Sequence, residues 1–264
     1  MMKLYTKDHL VLLCLALSTL SSCYTFDPDP FVVPIDRQQE NKYYKHSAHN
    51  APLLSKKNDL SASFLFSTTE SSEAIDLQAA YMPLQHIGIT TSYTAGTKTS
   101  YTNYNRFEAG VGYVADLKKG WNFETYTGFG SGKIVNYHHT GSSTIKNNLF
   151  YIQPAIAVSS AKRTVQFAFV SRLTGINFKV TDTTFNNARE LYNTSQIQSL
   201  QNKPFHLIWE PGIVLKVGWE NFLFYTSYSY ATDFTNSSLN ISENTFSIGM
   251  SFLFNVSKKH QDLK

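Results

Sequence analysis

From residue 59 onward, apolar residues recur at every second position, and that period sets what the chain can fold into. In LSASFLF, Leu60, Ala62, Phe64 and Phe66 share one face. RFEAGVGYV sets Phe107, Ala109, Val111 and Tyr113 against Glu108, Gly110 and Gly112. The stretches WNFETYTGFG, FYIQPAIAV and FSIGMSFLF repeat the pattern. A period of two puts successive side chains on opposite faces of a strand, whereas a helical face recurs near every 3.6 residues. The connections alternate too. Short turns fall at 83–86, 117–120, 161–163 and 218–221, and long polar stretches near 67–72, 95–104, 136–146, 181–203 and 232–242. This rhythm predicts roughly ten strands of about ten residues, the length a tilted membrane strand needs.

Composition says which face points outward. Charged residues make up 16% of the chain, well under the typical ~25%. The polar face holds mainly Gly, Ser, Ala, Thr, Gln and Tyr. That is a poor solvent surface but a workable lumen, while the Phe, Ile, Val and Leu of the other face suit lipid. A lipocalin-like soluble barrel would show charge outside. After the first residues no apolar run is long enough for a helical span. The net charge of +4, with no concentrated basic patch, excludes strong nucleic-acid binding. The expected fold is all-β: an antiparallel up-and-down β-barrel of about ten strands, outer-membrane type, over residues 59–256, with a tail at 257–264. Trp121 and Trp219 each lie at a short turn, where an aromatic girdle belongs. Pro154 and Pro211 fall inside strands that ought to be fully paired. Since proline donates nothing to the ladder, a bulge is expected at each, or a wrong strand assignment.

The start of the chain reads separately. Lys3 and Lys7 precede an apolar run from about Leu10 to Leu20, too short to cross a bilayer and of the form of a secretory signal peptide. Leu20, Ser21, Ser22 and Cys23 resemble a bacterial lipobox. There the Cys thiol is acylated and the chain is cut before it, and more than one acyl chain gives stable anchoring. Residues 1–22 are therefore expected as the signal peptide and Cys23 as the lipidation (palmitate) site. Cys14 lies inside the removed segment, so Cys23 is the one mature cysteine and no disulfide framework, Cys-based zinc site or Cys-His pair is available. Residues 23–58, with Pro28, Pro30, Pro34 and Pro52 and no periodicity, read as an extended tether. With an even strand count both chain termini lie on the periplasmic side, and the tether is expected to start there, its Cys23 in the inner leaflet.

Candidate chemistry is sparse. Measured from the short turns, Glu108, Gln153, Arg172 and Glu210 fall at similar heights and all point inward by parity. They predict a polar layer across the lumen, with Arg172 holding one or more carboxylates through its fork. The plainer role is structural, a layer that stiffens and plugs a narrow barrel; a gate or solute path is the functional alternative. His138 and His139 sit in one long connection, His206 near the outer end of a strand, and Asp182 and Asp233 in other connections. Nothing completes a constellation, so no catalytic residue, metal or cofactor is expected. There is no P-loop, Gly-rich dinucleotide turn or HExxH.

APLLSKKNDLSASF, DLQAAYMPLQHIGITTSY, RFEAGVGY, WNFETYTGFG, FYIQPAIAV and WEPGIVLKVG together resemble a set of uncharacterised bacterial outer-membrane lipoproteins with a β-barrel domain, over most of residues 51–255. The resemblance implies a lipid-anchored barrel in the outer membrane and no assigned activity. It repeats the Gln-Pro and Glu-Pro steps. One departure from barrel practice is that about ten residues follow Phe254, where many barrels stop at a terminal aromatic. The functional expectation is a non-enzymatic envelope protein, surrounded by outer-membrane lipids, whose long loops meet an extracellular ligand or protein. The alternatives are a barrel enzyme acting on envelope lipid or peptide at the outer rim, and a lipid-tethered soluble-type barrel carrying a hydrophobic ligand.

Overall fold

The alternating stretches form the staves of a closed wall. The computed structural model describes residues 42–70, 72–96, 102–117, 120–138, 141–184, 191–219, 221–235 and 239–256. The staves are β1 (Asp59–Thr69), β2 (Glu73–Leu84), β3 (Ile87–Gly96), β4 (Thr102–Asp116), β5 (Trp121–His138), β6 (Gly141–Ser159), β7 (Val165–Thr183), β8 (Phe205–Gly218), β9 (Phe222–Tyr230) and β11 (Asn244–Asn255). A two-residue strand, β10 (Thr232–Asp233), continues the β9 ladder on β8. A helix, α1 (Leu191–Asn202), lies in the connection between β7 and β8. Each stave pairs antiparallel with its chain neighbour, and β11 returns to β1 in one unbroken register from Asp59↔Asn255 to Thr69↔Thr245. The sheet therefore has no free edge, and every stave finds partners on both sides.

Side-chain direction follows the alternation. On β1, Ser61, Ser63, Leu65 and Ser67 are buried, while Phe64 and Phe66 are exposed. The same holds around the wall: Leu77, Ile89, Phe107, Phe129, Ile152, Phe167, Ile213, Phe224 and Phe252 all face out, Phe129 at 78% exposure. Buried polar side chains and apolar exposed ones invert the arrangement of a water-soluble barrel. At the short-turn end Trp219 packs on Phe222 and Phe224, and Phe222 on Phe252, in a run of ring contacts along the rim.

Three expectations change. The stretch at 136–146 is mostly strand rather than loop, because β5 and β6 pair up to His138↔Gly141. No bulge accompanies either proline. At Pro154 the β6–β7 ladder skips Gln153 and Pro154 and resumes in the same register, and at Pro211 the β7 pairing is continuous while the β9 ladder begins one residue later at Gly212. A missing N–H thus costs a local rung, not a residue of register. The third change concerns residues 42–58, expected as tether outside the barrel. Tyr43, Tyr44, His46, His49, Leu53 and Leu54 are at most 2% exposed, because the segment runs through the lumen. It also enters from the unexpected side. Lys42 lies at the long-connection mouth, against Asn136 and Asn240, and Asn58 at the short-turn mouth, where its N–H donates to the Met82 carbonyl.

Small inward residues make the room. A Cβ at Gly112 would stand 2.3 Å from the Tyr126 ring, and one at Gly212 would stand 2.6 Å from the His49 ring of the lumen segment.

Candidate functional site

The lumen segment is held by side chains that reach inward from the wall, rung by rung. At the short-turn mouth Asp59 accepts the Ser55 and Lys56 N–H groups, both at 3.1 Å, and pairs with Arg163 at 2.9 Å. Leu53 adopts a left-handed φ of 56°, a conformation that costs on the order of 1–2 kcal/mol. Its two backbone groups are both taken: the N–H donates to Glu124 at 3.3 Å, and the carbonyl accepts from Arg163 at 2.5 Å. Higher up, the carbonyls of Ala51, Asn50, His49 and Ala48 accept from Lys216 (2.7 Å), Gln153 (2.9 Å), Tyr225 (2.6 Å) and Gln78 (2.8 Å). Above these, the Ser47 hydroxyl accepts from Thr94 and Arg106, and His46 Nε2 lies 2.9 Å from the Ser229 hydroxyl. Near the long-connection mouth Tyr44 forms a parallel bridge with Ile241, and the Tyr43 N–H donates to the Asn240 carbonyl at 2.8 Å. A buried backbone needs partners for its polar groups, and here wall side chains supply them.

At mid-height lies a buried ionic layer. Arg172 presents its fork to Glu108, with both N–H···O distances 2.9 Å, and its Nε is 3.2 Å from Glu210. Arg106 Nε stands 3.1 Å from Glu108 Oε1, and the Tyr44 hydroxyl donates to Glu210 at 2.5 Å. The Arg172 guanidinium also lies 4.0 Å from the centre of the Tyr151 ring. Two cations face two carboxylates, so the layer is neutral. Charge-assisted, bidentate contacts of this kind are what make buried ions tolerable.

Of the residues singled out from the sequence, Glu108, Arg172 and Glu210 meet in this layer. Gln153 does not; its amide donates to the Asn50 carbonyl of the lumen segment. Cys23 lies outside the described residues. Sequence reading missed Arg106, although it shares parity with Glu108 two positions on, and it missed Gln78, Lys216 and Tyr225, which grip the lumen segment beside Gln153. A long polar side chain at an inward position of a small barrel is the signal that was there to use.

The outer rim holds one His–Asp contact. His206 Nδ1 is 2.7 Å from Asp233, and its Nε2 is 3.0 Å from the Lys203 carbonyl. Both ring nitrogens have protein partners and the residue is buried. Asp182 stands opposite Thr144 on β6, His138 ends β5, and His139 lies outside the described residues. Among the described residues no three His, Cys, Asp or Glu side chains are grouped to hold a metal ion.

The class that these features define is a closed antiparallel β-barrel whose lumen holds residues 43–54 of its own chain. No family model and no curated protein matches the chain. Among solved structures it is similar to the KdgM porin (10% identity, TM-score 0.36, covering 74% of this chain and 99% of that one). It is also similar to the translocator domain of the autotransporter NalP from Neisseria meningitidis (8%, 0.40, 74% and 87%) and to the NanC porin (16%, 0.33, 73% and 98%). The fold assignment rests on the strand pairing itself.

Proposed function

We propose that the protein is a bacterial outer-membrane lipoprotein, acylated at Cys23, whose barrel conducts nothing and performs no catalysis. It serves in the envelope by presenting its long connections to a ligand or protein outside. The observation that carries this reading is the filled lumen: residues 43–54 occupy the space a porin leaves open, bonded to the wall at nearly every rung. The apolar outward face and the aromatic rim at the short-turn end support a lipid environment, with the short turns toward the periplasm. A carrier of hydrophobic ligands would need the opposite, an apolar cavity inside and a polar surface. The tied His206 gives no support to chemistry at the rim.

Planar-bilayer recording tests the reading. The wild-type protein, shown to be folded by a gel band that shifts on boiling, should give no stable conductance steps. Steady open-channel current from such folded protein would refute it. Gel mobility and membrane fractionation of Cys23→Ala test the membrane assignment. The variant should still shift on boiling and stay in the membrane fraction; a soluble, unshifted protein would sink it.

A further inference from the structure

The direction of the lumen segment fixes the side on which the preceding chain lies. Lys42 is the first described residue, and its carbonyl accepts from Asn136, near the long-connection end of β5, while its Nζ donates to Asn240 at 2.7 Å. From there the chain descends to Asn58 and only then turns into β1. We infer that everything before Lys42, Cys23 included, lies on the long-connection side of the membrane, so that the acyl anchor enters the outer leaflet and residues 24–41 are displayed at the cell surface. This rests on the membrane-barrel reading above and replaces the expected periplasmic start of the tether.

Length alone does not force the result. Nineteen residue steps separate Cys23 from Lys42, a reach of about 63–68 Å when extended, against a bilayer of about 40–45 Å. The routes back are what close. Inside the barrel the lumen is already occupied by residues 43–54. Outside the barrel a lone extended segment would cross hydrocarbon with its N–H and C=O groups unpaired, and with Asp27, Asp29, Asp36, Arg37 and Glu40 in lipid. On the long-connection side the same reach lets Cys23 settle into the leaflet beside the mouth.

The test uses the full-length protein with single cysteines and a membrane-impermeant maleimide, wild type setting the background. Gln38→Cys reports the chain before Lys42. Asp182→Cys, exposed at the end of β7, marks the long-connection side, and Lys162→Cys, in an exposed short turn, marks the other. Gln38→Cys should label in intact cells to the same extent as Asp182→Cys, while Lys162→Cys labels only after lysis. If Gln38→Cys behaves like Lys162→Cys, the inference is overturned and the barrel reading stands. If all three label alike before and after lysis, no membrane separates the two mouths and both readings fall.

Discussion

Replacing Arg172 with alanine should be among the costliest single changes in the barrel. Arg172 supplies two bonds to Glu108, a contact with Glu210 and a third partner in Thr174 at 3.1 Å, all buried. Without it two carboxylates face the single remaining cation, Arg106. Stranding a buried charge in this way costs about 3–5 kcal/mol. Arg106 still touches Glu108, and Tyr44 still donates to Glu210. The loss should therefore fall at the lower end of that range, about 3 kcal/mol. The assay is the urea midpoint in detergent micelles, followed by tryptophan fluorescence and by loss of the heat-modifiable band. The exposed Lys162→Ala serves as control and should stay within about 0.5 kcal/mol of wild type. Pairing Arg172→Met with Glu210→Gln restores neutrality, and should recover part of the loss through a coupling of about 0.5–3 kcal/mol. If Arg172→Ala moves the midpoint no further than Lys162→Ala does, the ionic layer contributes nothing to stability and the reasoning fails.

Other outcomes follow from single contacts. Asp59→Asn weakens the latch at the short-turn mouth by about 1 kcal/mol, and hydrogen exchange should speed up over residues 53–58 while the β1–β11 amides stay protected. Gly112→Leu drives a side chain into Tyr126; overpacking of this kind costs about 1–3 kcal/mol, read as a lower urea midpoint or loss of the fast-migrating band. His206→Ala should lower stability by about 1 kcal/mol through the lost 2.7 Å contact with Asp233, which keeps its bonds from Thr235, and a purified wild type should show no envelope-lipid or peptide hydrolysis for the substitution to abolish. Any such hydrolysis lost in His206→Ala would revive the enzyme reading.

The wall was legible because a two-sided strand writes its surroundings into alternate residues: Phe64 against Ser63, Phe107 against Glu108. The lumen segment was not legible, for a related reason. It is surrounded by wall on all sides, so YYKHSAHNAPLL has no face to encode and shows no period. Its one proline, Pro52, then reads as linker. Much of the information that places it lies elsewhere in the chain, in Gln78, Gln153, Lys216 and Tyr225, whose side chains bond backbone carbonyls that any residue would offer. The ionic layer was half legible. Parity gave the inward direction of Glu108, Gln153, Arg172 and Glu210, but not the lumen segment, whose Asn50 carbonyl takes the Gln153 amide. The prolines misled because a lost rung and a bulge look the same in sequence.

The seam of the barrel joins its first stave to its last, Asp59 to Asn255. The lumen segment precedes both in the chain. Synthesis therefore delivers the filling first, the wall around it stave by stave, and the closing strand last. A chain ordered in this way carries its own mandrel. Gln78, Gln153, Lys216 and Tyr225 each close on a backbone carbonyl that left the ribosome before they did.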